Sequence, residues 1–209
     1  MSQHLFPKLT LAIFFVAATI PAFSQVTPAA EEGGLPLVVG VGVSDFDLDW
    51  GLGRRMIGIT AWADWQLEHL PGPLRNLSIE AEGHDINFDR PSELNPMRQD
   101  TALGGLVYTS HHYRNLRPYA KAMGGIGSID FPPLFPPTTP PTPDTYRHDT
   151  FAVTAPGGGL EYRFWRQFWV RGEYEYQFWH QTFGPNDLTP QGFTIGATYH
   201  FRRTYPSSR

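Results

Sequence analysis

The sequence predicts an all-β chain, folded as an eight-stranded antiparallel up-and-down transmembrane β-barrel. Three observations carry that prediction. The segment Phe168 to Phe178 alternates strictly, with Phe168, Val170, Gly172, Tyr174, Tyr176 and Phe178 on one face and Trp169, Arg171, Glu173, Glu175 and Gln177 on the other. A strand with this pattern has one aromatic, apolar face and one charged face. The same alternation returns in weaker form about eight times between Leu37 and Phe201, separated by turn residues, as in closed antiparallel barrels. No segment beyond the N-terminal region is apolar enough for a membrane-spanning helix, so a membrane form of this chain must cross with strands.

Taken in order, strands are expected at Leu37 to Phe46, Arg55 to Leu67, Asn76 to Asn87, Thr101 to His111, Pro118 to Ile129, Thr150 to Phe164, Phe168 to Trp179 and Gly192 to Phe201. Most are close to the ~9 to 11 residues that a tilted strand needs to cross a bilayer. The second, fourth and sixth connections are compact: Pro71-Gly72-Pro73, Tyr113 to Arg117, and Trp165-Arg166-Gln167. The third, fifth and seventh are long and polar or proline-rich. Short turns at one end and long loops at the other place both termini and the compact turns on the periplasmic side of an outer-membrane barrel.

One set of alternate positions holds Val39, Val41, Val43, Ile57, Ile59, Ala61, Trp65, Leu77, Ile79, Ala81, Leu106, Tyr108, Leu160, Tyr162, Val170, Tyr174, Tyr176, Phe193, Ile195, Ala197, Tyr199 and Phe201. The opposite set holds Gly40, Gly42, Gly58, Thr60, Asp64, Ser78, Glu80, Glu82, Glu161, Arg163, Arg171, Glu173, Glu175, Thr194, Gly196 and Thr198. An eight-stranded barrel is just wide enough for side chains to fill. The apolar set carries too many large rings for that space, so the polar set is expected inside. Alternation alone does not fix the phase of the Gly- and Ala-rich fourth and fifth strands. Aromatic girdles are expected at both strand ends. One comprises Trp65, Tyr108, Tyr119, Phe164, Trp165 and Phe168, the other Phe46, Trp50, Phe88, Phe131, Phe178, Trp179 and Phe193.

Residues 1 to 24 combine His4 and Lys8 with an apolar run from Leu9 to Ile20 and end in Ala22-Phe23-Ser24, which predicts a signal peptide cleaved before Gln25. Residues 25 to 36 read as a flexible lead-in, 37 to 201 as the barrel, and 202 to 209 as a short polar tail. The chain has no cysteine, which excludes disulfides, thiolate metal sites and a lipidated N-terminal cysteine. A formal net charge of −4 with dispersed basic residues argues against nucleic acid as a partner.

The stretches Arg117-Pro118-Tyr119-Ala120, Gly124 to Gly127, Gly157 to Tyr162 and Val170 to Tyr176, in that order, resemble the outer-membrane protein β-barrel domain family, the small eight-stranded barrels like the membrane domain of outer membrane protein A. The closing strand Gly192 to Phe201 resembles the aromatic-terminated strand that such barrels present to the barrel assembly machinery. The resemblance implies a bacterial outer-membrane location, outer-membrane lipid as the surrounding partner and a monomer. It also implies a structural or surface-interactive role without catalysis, cofactor or metal. The eight residues after Phe201 are too few for the peptidoglycan-binding domain of larger relatives.

The carboxylates Asp64, Glu80, Glu82, Glu161, Glu173 and Glu175 share one face with Lys121, Arg163 and Arg171. Paired carboxylates serve as acid and base in hydrolases. Buried charges, however, need partners, so a lumen charge network that plugs the barrel is the expected role of all nine. His111 and His112 point to opposite faces, as do His84 and Asp85, which argues against chelation by either pair. The Ser110-His111 pair is equally unsuited to a dyad, leaving a lipid A-modifying enzyme as the alternative. A soluble periplasmic lipocalin-like barrel with an apolar ligand is the other alternative. Gly157 to Gly159 is expected to bend its strand or pack on Trp169. The proline tract 131 to 143 is expected to be an extended surface loop, read first as a variable loop with no specific partner and, as the alternative, as a stiff arm presenting Leu134 and Phe135 to a surface partner.

Overall fold

The computed structural model describes residues 35–49, 55–67, 70–88, 98–110, 113–130, 148–183 and 186–201. The expected signal peptide, most of the lead-in, Trp50, His111, His112, Phe131 with the proline tract, and the tail lie outside them. The elements are β1 (Leu37–Asp47), β2 (Arg55–Gln66), a short 3-10 turn (Gly72–Asn76), β3 (Leu77–Phe88), β4 (Arg98–Thr109), β5 (Leu116–Asp130), β6 (His148–Trp165), β7 (Phe168–Tyr176), β8 (Phe178–Phe183), β9 (Asn186–Leu188) and β10 (Gln191–His200).

Each of β1 to β6 pairs antiparallel with the next, β7 pairs with β10, and β10 returns to β1 over ten residue pairs from Val38–His200 to Asp47–Gln191. These eight strands close the predicted barrel, leaving no sheet edge for lipid to desolvate. The β8–β9 hairpin is added to β6 through Val153–Trp179 and Thr154–Phe178. The start of β1, the end of β10 and the compact turns share one end: Phe201 N–H donates to Leu37 O at 3.1 Å, and His200 N–H to Gln167 O at 3.0 Å. We call it the turn end and the opposite one the loop end. Two turns there are tight enough to force a positive φ on arginine, 58° at Arg114 and 40° at Arg166.

The largest departures of strand boundaries from expectation fall in two places. The fourth strand runs from Arg98 to Thr109, earlier than Thr101 to His111. The seventh stops at Tyr176 instead of Trp179, because the N–H of Gln177 turns to Pro190 O at 2.7 Å and the chain then pairs with β6 as β8. Pro156, which has no N–H to donate, lies where β6 exchanges β8 for β7 as neighbour.

The faces fall as the alternation predicts. Val41 and Val43, each 55% exposed, and Ile57, Ile79, Leu160, Tyr174 and Ile195 point outward, while Thr60, Glu80, Glu82, Arg171, Glu173 and Glu175 are buried inside. In the fifth strand the inward set is Tyr119, Lys121, Met123, Gly127 and Ile129; in the fourth it is Gln99, Thr101, Leu103 and Val107. At the turn end Trp65, Tyr108, Tyr162, Phe164, Trp165 and Phe168 form an outward ring. Its members touch: Trp165 stacks on Phe168 at 5.8 Å, and Phe168 meets Tyr199 edge-on at 5.1 Å.

Three expected girdle residues are inside instead. Tyr119, Phe46 and Trp179 are buried, so the outward aromatics described at the loop end reduce to one side of the barrel, around Tyr174, Phe178 and Phe193. Ring volume alone does not keep aromatics out of this lumen, since Trp62 and Trp169 are interior too. Glycine makes the room. A Cβ on Gly40 would fall 2.3 Å from the Trp62 ring, and one on Gly127 would fall 2.3 Å from the Trp179 ring. The run 157 to 159 serves the same end with different neighbours from the expected Trp169: a Cβ on Gly157 would crowd Lys121 Cε at 3.0 Å, and one on Gly159 the Tyr119 hydroxyl at 2.8 Å.

Ala61, midway along β2 and facing out, tests which face meets lipid. Ala61→Arg is expected to destabilise the barrel by ~2–4 kcal/mol, the cost of a cation at the lipid midplane. The urea midpoint after refolding into phospholipid vesicles measures it, and an unchanged midpoint would contradict the assignment of faces.

Candidate functional site

The barrel interior has two chemically distinct layers. Toward the turn end, residues at alternate positions of β2, β3, β5, β6 and β7 converge on Arg171 and Lys121. Strand pairing sets the level of each: Asp64 lies opposite Glu80, Glu161 opposite Arg171, and Glu173 and Glu175 opposite Gly159 and Gly157.

Arg171 reaches from β7 across to β3. Its Nη1 donates to Glu80 Oε2 at 2.7 Å and its Nη2 to Glu80 Oε1 at 3.2 Å, a bidentate pair. Nε donates to Glu173 Oε2 at 3.0 Å and to the Tyr119 hydroxyl at 2.7 Å, and Nη2 also pairs with Glu173. The guanidinium lies over the rings of Trp62 and Tyr119, 4.7 and 4.5 Å from their centres. A planar cation with five donors is suited to such a site, where a lysine would leave acceptors unmet.

Lys121 Nζ occupies the next level. It donates to Glu173 Oε1 and pairs with Glu175 Oε2, both at 2.6 Å, pairs closely with Glu82 Oε2, and lies 3.8 Å from Glu80 Oε1. Asp64 approaches Arg171 at 3.7 Å. Glu161 sits nearer the turn end, 4.0 Å from Arg117 and 3.9 Å from His200. A small cavity there is lined by Asp64, Ser78, Glu161, Arg171 and His200 among others. Of the nine residues expected to form one charge network, eight are buried together. Arg163 is placed differently: it is half-buried at the mouth, its guanidinium 5.8 Å from the Trp169 ring, and Nη2 donates to Asn115 Oδ1 at 3.4 Å.

Neutral polar residues that the sequence reading passed over continue the chain of contacts toward the loop end. Ser44 hydrogen-bonds both Thr60 and Thr194, the latter at 2.7 Å, and Thr60 meets His84 Nδ1 at 2.8 Å. Gln177 accepts from Gln99 Nε2 at 3.1 Å and Trp179 Nε1 at 2.8 Å, and donates to Glu175 Oε1 at 2.7 Å. Above them lies an apolar layer of Phe46, Leu48, Met56, Ile86, Ile129, Phe151, Val153, Trp179 and Leu188, all buried. Alternation would have found these residues, since Phe46, Met56 and Ile86 occupy the inward parity of β1, β2 and β3.

At the level of this layer the outer surface turns charged. Arg55 pairs with Asp45 at 2.8 Å, and Arg98 with Asp100 at 2.9 Å and Asp85 at 3.5 Å, all on the outward face. The arrangement has apolar matter outside and charge inside along most of its length, then charge outside and apolar matter inside at the loop end.

A closed barrel with this inverted distribution is an integral membrane barrel of the outer-membrane class. Residues 11–201 match the outer membrane protein beta-barrel domain, and the chain belongs to that family. No curated protein matches the chain in sequence. Among solved structures it is similar to the crystal structure of Neisserial surface protein A, with 11% identity over 81% of this chain and 100% of that one and a TM-score of 0.61. It is also similar to Ail, the attachment invasion locus protein of Yersinia pestis, in complex with the heparin analogue sucrose octasulfate. That match has 14% identity over 80% of this chain and 98% of the other, with a TM-score of 0.50. The protein is located in the bacterial outer membrane, and the soluble lipocalin-like alternative is overturned by the outward apolar face.

Removing Arg171 is expected to be far costlier than removing the whole pair. Arg171→Met leaves Glu80 and Glu173 buried without their main cation and is expected to cost about 3–5 kcal/mol. Arg171→Met with Glu80→Gln should recover part of that loss. Urea unfolding in detergent micelles, followed by the folded-to-unfolded gel shift, checks both.

Proposed function

We propose that the protein is a non-catalytic, monomeric outer-membrane barrel with a sealed lumen, whose biological contacts are made by its loop end, the proline tract 131 to 143 included. The observation that carries this reading is the pairing of a filled charged layer with an apolar layer above it. Water crossing the lumen would have to displace both Lys121 or Arg171 from their carboxylates and Phe46, Ile129 and Trp179 from one another. With that path closed, exchange between the two sides is not the job, and the loops facing outward are what remains for interaction.

The turn end then faces the periplasm, with residues 1 to 24 removed on export and 25 to 36 leading into β1. The strand 192 to 201 is the segment offered to the assembly machinery. The described loop-end surface is acidic, with Asp45, Asp47, Asp49, Asp85, Asp100, Asp130 and Asp187 against Arg55 and Arg98. A heparin analogue such as the sucrose octasulfate in complex with Ail is therefore a poor electrostatic match for this part of the surface. The reading favours contacts through Leu134 and Phe135 on the proline arm.

Two measurements test it. Purified protein in planar bilayers is expected to give no large steady conductance, and a stable open level would overturn the sealed lumen. Deleting residues 132 to 143 is expected to leave the heat-dependent gel shift intact while abolishing attachment of displaying cells to matrix-coated surfaces; unchanged attachment would overturn the role of the arm.

A further inference from the structure

Among the described residues the interior holds six buried carboxylates, Asp64, Glu80, Glu82, Glu161, Glu173 and Glu175, against two buried cations, Lys121 and Arg171. Lys121 pairs with Glu173 and with one oxygen, Oε2, of each of Glu82 and Glu175. The other oxygen of each, Oε1, lies near His84. His84 Nε2 is 3.4 Å from Glu82 Oε1 and 3.5 Å from Glu175 Oε1. All three residues are buried, with one ligand atom from each mutually within 4.8 Å. His84 Nε2 and Glu82 Oε1 are buried atoms without a hydrogen-bond partner, at side chains only 1% exposed.

We propose that Glu82, His84 and Glu175 bind a divalent transition cation in the lumen. The spacing fits this better than it fits hydrogen bonding. An N–H donor to a carboxylate sits ~2.7–2.9 Å from its acceptor, whereas two ligands at ~2.0–2.1 Å from a tetrahedral ion are ~3.3–3.4 Å apart. The donor set, one imidazole nitrogen and two carboxylate oxygens, suits Zn2+ and its neighbours and is poor for Ca2+ or Mg2+.

The surroundings are organised as an outer shell. Thr60 meets His84 Nδ1 at 2.8 Å and is itself held by Ser44, so Nδ1–H has a hydroxyl to donate to and the Nε2 lone pair faces the two glutamates. The second oxygen of each glutamate is taken by Lys121, and Gln177 Nε2 donates to Glu175 Oε1 at 2.7 Å, which leaves that oxygen a further lone pair. Phe46 meets the His84 ring edge-on at 5.3 Å and fixes its plane. A 2+ ion here would also offset much of the excess negative charge. Enclosed between Arg171 and the apolar layer, the site would take up its ion as the barrel folds.

The test uses tag-free full-length mature protein, refolded from urea into detergent micelles with Zn2+ or with EDTA, then freed of loose ion and analysed for zinc. The expected result is about one retained Zn2+ per chain and a higher urea midpoint with zinc, as ligation adds folding free energy. His84→Asn and Glu82→Gln should lose that zinc while still giving the gel shift of a folded barrel. Thr60→Val, which leaves every ligand in place, should weaken retention roughly 10–100-fold through loss of the outer-shell contact. Zinc retained equally by wild type and His84→Asn, or a midpoint blind to zinc, would overturn the site. Unequal retention with full conductance silence, or with conductance, leaves the proposal standing either way, since it does not rest on the sealed-lumen reading.

Discussion

Charge inside a lipid-wrapped barrel is the constraint on which the rest of this structure depends. Arg171 and Lys121 are held by carboxylates from strands on different sides of the lumen: Glu80 and Glu82 from β3, Glu173 and Glu175 from β7. Each cation therefore ties walls that share no backbone hydrogen bond. It also fixes register. Sliding β3 by one residue would turn Glu80 and Glu82 into the hydrocarbon and Ile79 and Ala81 into the charged layer, so each such slip carries a double penalty. The hydrogen-bond ladder alone would tolerate the slip.

The same charges set the demand for space. Arg171 is sandwiched by Trp62 and Tyr119, and those rings fit because small residues face them, as at Gly40 beneath Trp62 and Gly159 beside the Tyr119 hydroxyl. Glycine in strands usually weakens them. In a narrow barrel it exchanges local strand preference for interior volume, and the tight register closes around the large side chains so admitted.

Much of this was legible in the sequence, for a physical reason. A period of two is strict in a strand, so once Glu173, Arg171 and Trp169 are known to share a face, burial of one implies burial of all. The strand count, the inward set and eight of the nine charged residues follow from that parity. What parity does not carry is position along the barrel axis. Phe46 and Trp179 read as girdle residues because they are aromatic and near strand ends, although their parity puts them inside. Gly- and Ala-rich stretches gave no phase for β5, so the inward pointing of Tyr119 was missed. His84 shares its face with Glu82 two residues back and not with its neighbour Asp85, which faces away. The break at Gln177 had no local signal, since the alternation runs through it unchanged from Glu175 to Trp179.

The reversal of polarity at the loop end says where the membrane stops. Through the middle of the barrel an apolar side chain faces out and its neighbours in sequence face a charged interior. At Asp45-Phe46, Arg55-Met56, Asp85-Ile86 and Ile129-Asp130 the order inverts, with the charged residue outside and the apolar one in the core. That second arrangement is what a water-soluble sheet does. A barrel obeying membrane rules below this level and aqueous rules above it has its outer lipid boundary there, and β5 and β6, at 15 and 18 residues, are long enough to continue past it. The apolar layer is then the core of a short soluble extension, stacked on the charged layer of the membrane part. Its hydrophobic burial supports the base of the loops without drawing on the ion pairs below. Loop sequences could change while this layer keeps their roots in place, and the charged layer would be insulated from whatever the loops bind.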